Sequence, residues 1–219
     1  MEYSRKLIIL QIIFLTLFSY YVWGSENKVL VFENLRKKEK NIDTISFSYL
    51  KRVIIGEIDE SYTIKGLVFY KEPKLLRIEQ KEPIKKLFIC DGTRAIIFVE
   101  EFNQIIQSND IDNLSKSLGI DLNLVLFRQL TDYIEKNYEV ESVECEGEHY
   151  VFNLKSESDE DKRLRLYISR QDYLLEKAVY INPTTTVTTE FFDIEVNRDL
   201  NSSIFNFKSP EGAETIDIP

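Results

Sequence analysis

Histidine is nearly absent from this sequence. His149 is the only one in 219 residues, and it sits beside Gly147 and Glu148 at what reads as a hairpin. A lone surface imidazole is far more often inert than catalytic. Cysteine is equally sparse, and Cys90 and Cys145 show no Cys/His spacing for zinc. Seven glycines and five prolines leave little room for linkers or low-complexity tracts. They build neither a Gly-rich phosphate loop nor a G-x-S-x-G elbow. No internal repeat appears at solenoid or propeller periods. Positive charge is in the minority, with 28 Lys and Arg against 37 Asp and Glu and a formal net charge of −9. That argues against a nucleic-acid partner, which needs a basic face to replace phosphate counterions. The same charge disfavours an anionic membrane surface.

The acidic surplus supplies no evident site either. Glu100-Glu101 and Asp159-Glu160-Asp161 are pairs and runs that 37 acidic residues produce by chance. The stretch from Glu157 to Asp161 lacks the spacing and central glycine of an EF-hand loop, so a solvated turn is the better reading. No metal, cofactor or catalytic residue is expected.

What is present begins with an address. Arg5 and Lys6 precede an apolar run from Leu7 to Phe18, followed by Val22-Trp23-Gly24-Ser25. This reads as a secretory signal peptide cleaved after Gly24, leaving 25–219 as one domain. An uncleaved anchor is the competing reading, but the run is short for a span of about 20 residues. No cysteine follows the run, so the attachment point of a lipid-anchored bacterial protein is missing. In an oxidising compartment Cys90 and Cys145 are free to bridge, or to pack as small apolar groups.

The 43% hydrophobic content is enough for a substantial core. Residues 26–40 read as an amphipathic helix with Val29, Phe32 and Leu35 near helical spacing. Strands follow. Ile45, Phe47 and Tyr49 alternate with serines, and apolar segments recur at 62–70, 75–78, 87–90 and 95–99. Pro73 and Pro83 bracket one strand, and Asp91-Gly92 signals a tight turn. From Asp121 to about Lys136 the pattern steps by three and four residues through Leu122, Val125, Leu126, Leu130 and Tyr133, a helix with one apolar face. Asp121 is its expected N-cap, and 114–118 is a short helix before it. Strands return at 138–145, 150–154, 164–168, 174–181 and 187–196, with 157–162 as a hairpin tip. The fold class is therefore mainly β within α+β: one wide antiparallel sheet, expected to curl, with two helical elements.

Several strands are apolar on both faces, including Leu67-Val68-Phe69-Tyr70 and Leu87-Phe88-Ile89-Cys90. A sheet wet on one side would alternate cleanly. Either a second layer packs on the sheet, or a curled sheet encloses a ligand cavity. The pattern leaves both open.

One stretch narrows the choice. Gly66-Leu67-Val68-Phe69-Tyr70-Lys71-Glu72-Pro73-Lys74-Leu75-Leu76-Arg77, then Pro83, then Leu87-Phe88-Ile89-Cys90-Asp91-Gly92, resembles the LolA-type family of outer-membrane lipoprotein carriers. The closing Phe205-x-Phe207-x-x-Pro210-x-Gly212 is similar to that family's C-terminal signature. The resemblance implies an incomplete β-barrel closed by a helical lid, with no enzymatic activity. It implies a monomeric periplasmic chaperone that takes triacylated lipoproteins from an inner-membrane ABC transporter. An outer-membrane acceptor is a further expected partner. The cargo wall is expected at Phe69, Leu76, Ile78 and Phe88, and the facing lid residues at Leu122, Val125 and Leu126. Glu72 stands where the family's carriers commonly have an arginine that latches the lid, Lys71 and Arg77 are nearby cations at other positions, and Glu72 and Arg77 are the expected lid-control residues. Leu76 takes the place of a family aromatic. Rivals are a carrier of glycolipid or phospholipid, a sensor of mislocalised lipoprotein, a small periplasmic enzyme, and a structural protein with a dry core.

Overall fold

A computed structural model describes residues 28–56, 58–111, 114 and 129–218. Twelve strands form a single sheet: β1 (Thr44–Ile55), β2 (Glu60–Lys71), β3 (Leu75–Glu82), β4 (Lys86–Asp91), β5 (Ala95–Val99), β6 (Gln104–Ser108), β7 (Tyr138–Glu146), β8 (His149–Ser156), β9 (Arg163–Ser169), β10 (Leu175–Ile181), β11 (Thr185–Val196) and β12 (Glu214–Asp217). Their order is β12-β6-β5-β4-β3-β2-β1-β11-β10-β9-β8-β7. Every pair is antiparallel except β12 with β6. The two end strands do not meet, so the barrel is incomplete, as the fold class requires. Among the described residues the sheet is accompanied by helix α1 over 28–40 and helix α2 at Leu130–Asn137, and Ile111 and Leu114 are also helical.

The meander follows from local signals. Asp91 closes the β4–β5 turn by accepting from the Thr93 N–H, the Thr93 hydroxyl and the Arg94 N–H, while Gly92 takes a φ of +94°. Burial opposes ionisation there, but these donors outweigh it and hold the Asp91 carboxyl at about 2. β3 lies between two cis peptide bonds, Glu72-Pro73 and Glu82-Pro83. β6 and β12 were not expected. β6 is five residues with a glutamine near each end, and all four residues of β12 are exposed, so neither shows a long apolar alternation.

The main core lies on one face of the sheet. Phe47, Val68, Tyr70, Leu76, Ile78, Phe88, Cys90 and Ile97 pack there with Val31 and Leu35 of α1 and Leu130 and Ile134 of α2. The helical stripe of α1 differs from expectation. Val29 is exposed, and Val31, Leu35 and Glu39 are the buried residues at four-residue steps. Phe32 packs on Phe152 at 5.6 Å between ring centroids.

The opposite face is covered too, over β3–β6. Ile89, Ile96 and Ile105 are buried there together with Phe205, and Phe207 packs on Phe98 at 6.0 Å. The chain after β11 crosses β3 and β4 at a 3-10 turn, Ser202–Phe205. The doubly apolar strands therefore have two separate explanations. One face looks into the curl of the sheet, and the other lies under the C-terminal segment. Cys90 is buried and Cys145 exposed, and the two form no bridge. Of the helix expected at 114–118 only Leu114 is described, helical and buried; 115–118 and the first part of the helix from Asp121 lie outside the described residues.

Candidate functional site

Between the curled sheet and α2 lies a cavity of about 540 Å³. β1 sends Phe47, Tyr49 and Lys51 into it at two-residue steps, and β2 and β3 add Val68 and Ile78. β10 contributes Tyr180, β11 contributes Val187, Thr189 and Phe191, and α2 contributes Tyr133 and Asn137. In the wall Phe47 meets Phe191 edge-on at 5.4 Å. Tyr133 and Tyr138 pack at 5.7 Å. The polar side chains of the lining include Lys51, Gln80, Ser156, Ser158 and Lys162. Lys162 is paired with Asp159 at 2.9 Å.

Tyr49 is set by its cross-strand neighbour, Gly66. With no side chain on Gly66, the tyrosine ring lies against the β2 backbone. Burial pushes its hydroxyl up to about 12, so it stays a neutral hydrogen-bonding group in the wall. This amphipathic lining can hold an apolar body while meeting a polar end. Among the described residues, no group of three or more His, Cys, Asp or Glu is placed to hold a metal ion.

The residues expected to form the cargo wall divide. Ile78 lines the cavity. Leu76 and Phe88 point to the same side but sit in the packed core, 3% and 2% exposed. Phe69 pairs with Arg77 and Ser46, one residue out of step with Val68 and Tyr70, and so stands on the opposite side of the sheet. Leu122, Val125 and Leu126 lie outside the described residues.

Arg77 lies on the C-terminal segment's side, where Nη1 donates to the Ile204 carbonyl at 2.8 Å and Nε to Glu79 at 2.7 Å. The Glu72 carboxylate accepts from the Tyr70 hydroxyl at 2.8 Å. Sequence reasoning named Phe47 and Tyr49 only as strand residues, and did not single out Phe191 or Tyr180. Their period-two alternation was the available signal.

The sequence profile described as outer membrane lipoprotein carrier protein LolA matches residues 40–208. An outer-membrane lipoprotein carrier protein of Francisella philomiragia is 25% identical over 186 residues, covering 84% of this chain and 87% of its own. One of Legionella pneumophila strain Corby is 25% identical over 209 residues, covering 94% and 96%. Among solved structures, an uncharacterized conserved protein of Thermus thermophilus superposes with a TM-score of 0.56. It is 12% identical and covers 88% of this chain and 99% of its own. MucB superposes with a TM-score of 0.50 at 10% identity, covering 85% and 64%. These two likenesses concern the fold.

Proposed function

The chain belongs to the LolA family of outer membrane lipoprotein carrier proteins, and on that footing we propose that it is a periplasmic carrier shielding the acyl chains of triacylated lipoproteins. The observation that carries this reading is the cavity, bounded by Phe47, Val68, Ile78 and Phe191 inside an open sheet. Each methylene moved from water into such a wall gains about 0.8 kcal/mol. The protein acts by binding, with no bond made or broken. Residues 1–24 act as the export signal, and 25–219 as the carrier domain. An inner-membrane ABC transporter is the donor, and an outer-membrane acceptor receives the cargo.

Glu72 stands at the family's arginine position and is engaged by Tyr70. A carboxylate offers no N–H donor, so latching of the family type does not operate through it.

The test is retention of a synthetic tripalmitoylated lipopeptide in solution by the purified protein, followed by transfer to acceptor vesicles. Soluble complex and later release support the carrier reading. Lipopeptide left in micelles or aggregates defeats it. In cells, depletion is expected to strand lipoproteins on the inner membrane.

The polar part of the lining, Lys51, Gln80 and Lys162, favours a second reading, a carrier of lipids with polar headgroups. Extraction and mass spectrometry of the purified protein separate the two. A stoichiometric phospholipid or glycolipid supports the second reading.

A further inference from the structure

Among the described residues, helix α2 has no side-chain cap from its own N-terminus. Gln129 at its N-cap makes no side-chain hydrogen bond to the first turn, where backbone N–H groups lack intrahelical partners. The missing acceptor comes from α1. Glu39, 3% exposed, takes the Thr131 N–H on one carboxylate oxygen at 2.9 Å and the Thr131 hydroxyl on the other at 2.6 Å. Thr131 is itself 1% exposed. Beside this buried contact Arg36 of α1 reaches Glu135 at 2.6 Å and Asp132 at 3.9 Å. At its other end α2 is tied to the sheet, where the Asn137 carbonyl accepts from the Glu157 N–H at 3.0 Å. Tyr133 and Asn137 of this helix stand in the cavity wall.

We propose that Glu39 is a positioning residue for the cavity, clasping the first turn of α2 onto α1 and so setting where Tyr133 and Asn137 stand in the wall. Its effect on cargo rests on the carrier reading above; its effect on α2 does not.

A clasp built from a buried carboxyl has a proton dependence. Burial raises Glu39 from its ordinary 4.5 to about 7. The two bonds from Thr131 oppose this, Asp132 of α2 adds to it, and Arg36 of α1 works against it. The docked form therefore holds its proton more strongly than the free form. Docking is favoured most below about 4.5 and weakens as pH rises through about 7. The neutral acid keeps both contacts, because its carbonyl accepts the Thr131 N–H while its hydroxyl donates to the Thr131 oxygen. Glutamine preserves an acceptor without the charge.

The test compares wild type, Glu39→Gln and Glu39→Ala by hydrogen exchange over residues 130–137, corrected for intrinsic rate, at pH 5.5 and pH 8. Wild-type protection is expected to fall at least about tenfold between these values. Glu39→Gln should remain protected with no such fall, and Glu39→Ala should lose protection at both. Unchanged protection in Glu39→Ala overturns the clasp, as does a wild-type pH response in Glu39→Gln, the variant that also decides the matter if alanine prevents folding. In parallel, tripalmitoylated lipopeptide retention should follow the same order. Wild type that retains no lipopeptide defeats the carrier reading, while the exchange result still decides the clasp.

Discussion

Gly66 and Tyr49 face each other across β1 and β2, and a β-carbon on Gly66 would lie 2.6 Å from the Tyr49 ring and 2.2 Å from the Glu79 carbonyl oxygen. The second contact is to backbone of β3 and has no flexible end to yield. The glycine at this strand position exists to let an aromatic wall residue lie flat.

Gly66→Ala is therefore expected to destabilise the protein by about 1–3 kcal/mol, the usual cost of overpacking. The check is the urea midpoint. The same variant should weaken lipopeptide retention, because Tyr49 must leave its place in the wall. An unchanged midpoint would show that β2 and β3 part freely at this point.

Thr189 projects into the cavity from the middle of β11. Thr189→Trp is expected to fill part of the space and reduce lipopeptide retention about tenfold, some 1.4 kcal/mol, with little change in melting temperature. Leu76→Glu makes the contrast. Leu76 is 3% exposed in the core, so a charge there should unfold the protein rather than select against cargo. Full retention by Thr189→Trp would move the binding site elsewhere.

Arg77 holds the C-terminal segment through the Ile204 carbonyl. Arg77→Ala should cost roughly 1.5–3 kcal/mol, the range for a hydrogen bond involving a charged group. It should increase proteolysis after Asn197 and leave lipopeptide retention as in wild type. Loss of retention with an intact C-terminal segment would restore Arg77 to a role in cargo handling.

The two thiols should react separately. Cys145 is exposed, whereas Cys90 is 3% exposed and burial pushes its thiol up, keeping it protonated and unreactive. Titration with a chromogenic disulfide reagent is expected to count one thiol in the native protein and two in urea. Two native thiols would mean that β4 opens readily.

Much of the sheet was legible because strand periodicity is a local property. Phe47 and Tyr49 alternate with serines, and Asp91-Gly92 is turn chemistry that needs no distant partner. The side of each strand was less legible. Leu67-Val68-Phe69-Tyr70 is apolar at every position, so alternation cannot tell which pair looks inward. Val68 and Tyr70 do, and Phe69 does not. The engagement of Arg77 was not legible for a different reason, since its partner, Ile204, is 127 residues away. In α1 the charged sequence concealed Glu39, because a carboxylate reads as solvent-facing until another helix brings Thr131 to it.

The order of residues along the chain thus determined most strands and turns, since each rests on neighbours within a few positions, and the motif run from Gly66 to Gly92 carried the family. Which face became a cavity, which lay beneath the C-terminal segment, and which carboxylate was buried were decided only when remote segments met. Burial and hydrogen bonding at those points depend on partners that no local pattern contains.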